Sequence, residues 1–422
     1  MRFKRATSHW CAAGAAAVAV ILTVAGCSVD GDAVASSGDE SVDVATLDTG
    51  RYPTSPRPTF GTVTDSVEIF RIDAQRLAQY VVVPFEIDPD LTSTSMPTQA
   101  IMGSPGGLIS DSANNVAVNK DRFLFGFSVA AGTPDSQLRQ GNPRSLNALV
   151  LRYATPEDAK TAATQMAAAT ASDKKTTTGT LAGMPDTVTV AGSTGDNRQL
   201  MTFTYHQTFV IYEWFETNSA HADLLEPTVR KAIGLQTALV DQYPIRLNKF
   251  EREQRGIKNI DYPVQDQNKV LVYALPYTDA EIENKDSTIL RSSVRAVYGP
   301  RGMAQTSDDP VTTFSTLTKV GSTANAVEKS VVYRANTPEG ATTIVDKFRA
   351  SGTSRGWKDM PAPPGLPNAR CASSANSTNN VYQCYVKKGR YVGEVSSTDK
   401  KDVYQQAAAQ YVILTKADQN AH

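Results

Sequence analysis

Histidine and cysteine are scarce, four of each in 422 residues. Beyond the first few residues only His206, His221 and His422 remain, and none belongs to a His-Glu-x-x-His or other ligand-spaced group, so no metal site is expected. There is no Gly-x-Ser-x-Gly elbow. The closest stretch, Met102-Gly103-Ser104-Pro105-Gly106-Gly107, lacks the spacing, and no Lys-Ser or Lys-Thr follows to make a phosphate cradle. Cys-x-x-Cys is also missing, which removes the usual redox motif. Neither sign of charge prevails, with 42 Lys and Arg against 43 Asp and Glu. Without a basic excess, nucleic acid is not an expected partner. With 41% hydrophobic and 20% charged residues the chain reads as globular, neither collagen-like, wholly disordered nor polytopic. No cofactor and no catalytic residue follow from any motif.

What is present begins with an address. Arg2, Lys4 and Arg5 form a positive region, residues 12–23 are small and apolar, and Val24-Ala25-Gly26-Cys27 follows. The apolar run falls short of the ~20 residues that a membrane-spanning helix needs, so it reads as an export signal. The tetrapeptide resembles the lipobox of bacterial lipoproteins, in which the Cys is acylated and the chain is cut before it. That resemblance implies a lipid on Cys27. At ~0.8 kcal/mol per buried methylene, two or more acyl chains would hold the protein on a membrane. Removal of residues 1–26 takes three basic side chains and no acidic one, leaving a mildly acidic body. Residues 28–45 have no aromatic residue and no sustained apolar period, the pattern of a flexible linker.

Cys371 and Cys384 are the only cysteines left in the body, and an even pair in an exported chain predicts a disulfide. Two extended stretches, 368–373 and 381–386, flank a polar turn and can set the two cysteines opposite one another.

The body contains an internal repeat. A strand over 147–153 runs into Ala154-Thr155-Pro156-Glu157-Asp158-Ala159, and a strand over 329–334 runs into Ala335-Asn336-Thr337-Pro338-Glu339-Gly340-Ala341. In each, Thr is suited to cap a helix and Pro to occupy its first turn. Strands at 187–190, 200–205 and 208–215 and a helix over 222–240 follow the first start. Strands at 370–373, 381–386 and 391–395 and a helix over 402–414 follow the second. The expected fold is α+β: two related β-α-β-β-β-α units, each an antiparallel sheet with helices on one face. The expected domains are a signal (1–26), lipidated Cys27 and linker (27–45), an N-terminal unit (46–258) and a C-terminal unit with the disulfide (259–422). A helix over 66–80 precedes the first unit and is expected to stop at Pro84. Stretches 268–275 and 292–298 are expected as strands of a linking subdomain, and the Pro-rich segment 48–57 as an extended strap or a partner contact.

Two further patterns invite a chemical reading. Glu86, Asp88 and Asp90 alternate, as oxygen ligands of a Ca²⁺ ion would on extended backbone, although Pro84 and Pro89 frame them as a turn. Phe209, Tyr212, Trp214 and Phe215 belong to a segment apolar on both faces, which suits a central covered strand or an apolar groove for a lipid-like ligand.

The segments Leu47-Asp48-Thr49-Gly50-Arg51-Tyr52-Pro53-Thr54, Gln75-Arg76-Leu77-Ala78, Val83-Pro84-Phe85-Glu86-Ile87-Asp88-Pro89 and Tyr298-Gly299-Pro300-Arg301-Gly302 resemble uncharacterised two-domain envelope lipoproteins of mycobacteria, nocardiae and related actinobacteria. The resemblance implies attachment to the outer face of the plasma membrane and carries no activity. The expected function is thus a lipid-anchored, non-catalytic module in the cell envelope that binds a lipid-like ligand or an envelope protein, its membrane contact made by acyl chains on Cys27. The alternative is a hydrolase or transferase acting on envelope glycans or lipids. It would require titratable groups converging in one cleft.

Overall fold

The computed structural model describes residues 42–118, 122–284, 292–375 and 380–420. Cys27 and the proposed signal lie outside them. The first unit comprises α1 (Ser66–Leu77), α2 (Pro84–Ile87), β1 (Ser93–Ile101), α3 (Asp111–Ala117), β2 (Phe123–Gly132), α4 (Asp135–Arg139), β3 (Arg144–Tyr153), α5 (Pro156–Asp173), β4 (Thr178–Leu181), β5 (Met184–Thr194), β6 (Asn197–His206), β7 (Phe209–Asn218) and α6 (Leu225–Val240). A connection containing α7 (Lys249–Gln254) leads to the second unit. This holds α8 (Asp279–Glu283), β8 (Ala296–Tyr298), α9 (Pro300–Gln305), α10 (Pro310–Lys319), β9 (Asn325–Val327), β10 (Val331–Arg334), α11 (Pro338–Ser354), β11 (Lys358–Met360), β12 (Arg370–Ala375), β13 (Asn380–Lys388), β14 (Tyr391–Ser397) and α12 (Lys400–Thr415).

Each unit is built on a seven-stranded sheet, ordered β1-β2-β3-β7-β6-β5-β4 in the first and β8-β9-β10-β14-β13-β12-β11 in the second. All neighbouring pairs are antiparallel. The two orders are the same topology written twice, so the repeat is larger than the strand pattern predicts. Two leading strands and one short edge strand join each unit. The shared start is local chemistry: Thr155 accepts from the Asp158 N–H and Thr337 from the Gly340 N–H, each with Pro at the first turn.

The long helices of a unit lie on opposite faces of its sheet, which corrects the expectation of helices on one face. Strand alternation shows why. On β7, Val210 and Tyr212 pack with α5 residues Ala159, Ala163 and Met166, while Phe215 packs with Val229 and Ile233 of α6. On the second sheet Tyr385 and Val392 pack with Ile344 and Phe348 of α11, and Cys384 and Tyr391 with Val403 and Ala407 of α12. A central strand apolar on both sides needs cover on both sides, because successive side chains alternate between faces.

Three other expectations change. Pro84 does not stop α1, which gives way at Ala78–Tyr80 to a 3-10 turn; Pro84 instead starts α2. Residues 271–273 form a buried 3-10 turn against α12, and 296–298 are β8, part of the second sheet and of no separate subdomain. The segment 48–57 is a strap, and it packs on the second unit: Leu47 sits in that unit's core with Tyr52 and Phe60 against it. Cys371 and Cys384 face one another across β12 and β13 and form the disulfide.

Candidate functional site

One hydrophobic cluster runs through both units, joining Leu77, Val81, Phe127 and Phe209 to Tyr298, Met303, Tyr333 and Phe348. Polar contacts fix the seam around it. Gln79 Oε1 accepts from the N–H groups of Arg301 (3.1 Å) and Gly302 (3.3 Å), Gln305 Nε2 donates to Val81 O (2.8 Å), and buried Arg71 and Gln75 donate to Val294 O. Most of these meet backbone groups, so the seam is set by main-chain geometry and is closed by packing.

A matched device holds the entry segment of each unit. Gln236 of α6 donates to Tyr80 O (2.8 Å) and accepts from Val82 N–H (3.0 Å). Gln410 of α12 donates to Tyr273 O (2.9 Å) and accepts from Leu275 N–H (3.4 Å), which Ser330 Oγ also receives at 2.8 Å. Both glutamines are fully buried and clamp residues i and i+2 of the chain that enters the unit. Gly393 on β14 allows the approach in the second unit, since a Cβ there would collide with Gln410. The arginines that end the two repeated strands also match. Arg152 is 1% exposed and donates to Glu251 of α7 (2.7 Å), and Arg334, 3% exposed, donates to Asn268 O (2.9 Å). Both ends of the connection between the units are therefore tied to equivalent buried guanidinium groups.

The sequence-predicted site residues separate on this frame. Phe209, Tyr212 and Phe215 are 1%, 5% and 0% exposed and Trp214 is half-buried. The expected groove along β7 is thus filled by helices and by the seam cluster, as an interior strand requires. Glu86 pairs with Arg301, while Asp88 and Asp90 both pair with Arg144 (2.7 and 3.1 Å), so the alternating carboxylates meet two arginines. Ser104 donates to Asn114 in a turn. His206 contacts Asp241 at 2.6 Å on the surface, and His221 lies in a 3-10 turn; His422 is outside the described residues.

Two carboxyls that the pattern did not single out, half-buried Glu394 and buried Glu213, have raised pKa values. Glu394 on β14 accepts from Tyr333 Oη (2.7 Å) and Gln383 Nε2 (2.5 Å). Burial raises its pKa against those hydrogen bonds, and burial with the Glu394 charge drives the Tyr333 hydroxyl well above its usual value. Both carboxyl oxygens of Glu394 are occupied, one by Tyr333 and one by Gln383, the arrangement of a structural group. Glu213 on β7 is fully buried, and neither carboxyl oxygen has a partner. Thr202 and Ala148 lie directly across from it, and the Thr202 hydroxyl is unpartnered too. Burial alone pushes Glu213 well above the carboxylate range.

The open feature lies where the strap meets the connection between units. A cavity of about 240 Å³ is lined by Thr59, Phe60, Val264, Asp266, Gln267, Lys269 and Val272. Asp266 is committed to the turn, accepting from Val270 and Val272 N–H (2.9 and 3.0 Å). Phe60, with Arg57 at 4.9 Å over its ring, Val264 and Val272 give the wall its apolar part, and exposed Lys269 its charge. Val264 is 42% exposed. The lining thus combines three apolar side chains with Thr59, Asp266, Gln267 and Lys269, a mixed wall that offers both apolar and polar contacts.

A family model for the N-terminal part of a domain of unknown function, DUF7373, matches residues 60–247, and that for its C-terminal part matches 277–417. The chain belongs to the DUF7373 family. The two DUF7373 matches enclose the two units and leave most of the strap and the middle of the connection outside. The crystal structure of the extracellular domain of PknH from Mycobacterium tuberculosis is similar at 11% identity and a TM-score of 0.30, covering 43% of this chain and 100% of that one. No curated protein matches the chain.

Proposed function

We propose that this DUF7373 protein is a non-catalytic binding module of the cell envelope, outside the plasma membrane and anchored by lipid on Cys27, as in the actinobacterial lipoproteins that it resembles. The observation that carries the binding role is the cavity between strap and connection, an apolar recess beside Lys269 suited to a small amphiphile with a negative head. The signal-like pattern of residues 1–26 and the disulfide support the location. The hydrolase or transferase alternative is disfavoured at Glu394, whose two carboxyl oxygens are taken by Tyr333 and Gln383. Mass spectrometry of small molecules retained by natively purified protein tests the binding role. A retained amphiphile that is lost in Val264→Asp is expected; an empty wild type would refute it. For the anchor, Cys27→Ser should appear in the medium, and a mutant still held on membranes would contradict it.

A further inference from the structure

We propose that the strap orients the molecule on the membrane, setting the second unit, at the N-terminal end of α12, against the lipid surface and holding the first unit away from it. This rests on the lipid-anchor reading and adds a geometry to it.

The strap is fastened to the second unit along its length. Leu47 is buried against Gly365, and Asp48 accepts from Gln405 Nε2 (2.9 Å). Tyr52 Oη donates to Asp402 (2.6 Å), Thr54 O accepts from Lys416 Nζ (2.7 Å), and Arg57 N–H donates to Val272 O (3.0 Å) while its guanidinium meets buried Glu328 (3.3 Å). Val63 N–H then donates to Pro263 O (2.8 Å), and α1 follows into the first unit. The path therefore begins beside Asp402 and Gln405, in the first two turns of α12, and reaches the first unit last.

Fastening decides the reach of the tether. Fourteen residues lie between Cys27 and Val42, so an anchored leash spans at most ~50 Å, whereas a loose strap would pass the tether to Ser66 and allow ~130 Å. The shorter leash ends on the second unit, where Lys400 and Lys401 are exposed beside Asp399. With charges of both signs there, the tether and not net attraction sets the orientation.

The test uses residues 27–422 with the Cys371–Cys384 disulfide intact, so that Cys27 is the one free thiol. Cys27 is coupled to maleimide lipid in phosphatidylcholine vesicles, exposed lysines are acylated, and the sites are counted by mass spectrometry. Labelling of Lys400 and Lys401 should fall several-fold on tethering, while Lys160 and Lys175 of the first unit label as in free protein. Equal labelling at both ends, or protection of Lys160 and Lys175, overturns the proposal. Leu47→Ala with Arg57→Ala unfastens the strap and should abolish the protection; protection that persists in the unfastened protein also overturns it. Should that variant lose its circular-dichroism signature of folding, Tyr52→Phe with Lys416→Ala loosens the strap's surface contacts and should reduce the protection in part; undiminished protection overturns the proposal. The vesicle supplies its own tether, so failure here leaves the lipidation reading standing, and that reading falls only on the cellular fate of Cys27→Ser.

Discussion

The two units share a strand order, a helix start and a glutamine clamp, yet they treat buried polarity in different ways. The second unit satisfies Glu394 with Tyr333 and Gln383 and adds a disulfide and a strap. The first leaves Glu213 and Thr202 without partners and has neither device among its described residues. Repeated topology therefore constrains where the backbone must be held, at Gln236 and Gln410, far more than which polar side chains the sheet interior contains. A clamp on main-chain groups serves any sequence that follows the same path, whereas a core carboxyl depends on the side chains that happen to surround it.

Substitutions can break or sharpen this contrast. The largest effect is expected from Gln236→Leu, which leaves the buried Val82 N–H and Tyr80 O unpartnered at a total of about 4 kcal/mol, against about 2 kcal/mol for Gln410→Leu, where Ser330 Oγ keeps the Leu275 N–H and only Tyr273 O is orphaned. Denaturant unfolding should show the greater loss for Gln236→Leu, since Ser330 backs up the clamp of the second unit. A tolerated change on one side would mean that the clamps are not equivalent. Replacing both Cys371 and Cys384 by Ala should cost about 3 kcal/mol in the chain-entropy description. Amide exchange should confine the loosening to β12 and β13; loss of protection across the first unit as well would show that the shared core passes it on.

A smaller change of opposite sign is expected at Glu213. Its folded pKa is raised, so the fold retains a proton that the unfolded chain releases, and stability falls as pH rises from the ordinary carboxylate value, ~4.3, toward the folded one. Glu213→Met should stabilise by about 2 kcal/mol near neutral pH, with the gain shrinking toward pH 4. Melting temperatures of the two proteins across that range provide the check, and a gain independent of pH would contradict burial of an ionisable group. The smallest effect belongs to Tyr52→Phe, about 1 kcal/mol for one part-exposed hydrogen bond to Asp402. Its hydroxyl pKa is pushed up to about 12 by burial and by Asp402, so the bond should persist through neutral pH. Limited proteolysis at the strap should detect the variant.

Much of this was legible in advance. Thr155-Pro156 and Thr337-Pro338 announced both helix starts, because a capping hydroxyl and a fixed φ act within four residues. The Cys371 and Cys384 pairing followed from two strands and a turn. The two apolar faces of 209–215 signalled a central strand, but the same pattern suits a groove, and only the presence of α5 and α6 on either side distinguishes them. Strands β4, β8, β9 and β11, three or four residues each, are too short to show a period. Gln236 and Gln410 looked like ordinary helix residues, since nothing within a helix marks a glutamine whose partners lie about 150 residues away in sequence.

Sequence alone settled what is local: caps, alternation, the cysteine hairpin and the doubling of one pattern, all decided by contacts among near neighbours. Tertiary structure decided which face each helix covers, that the strap lies on the second unit, and that Glu213 is stranded while Glu394 is satisfied. Those outcomes depend on which distant surfaces meet, and burial, hydrogen-bond completion and the protonation of a carboxyl are properties of the assembled neighbourhood and of no single segment.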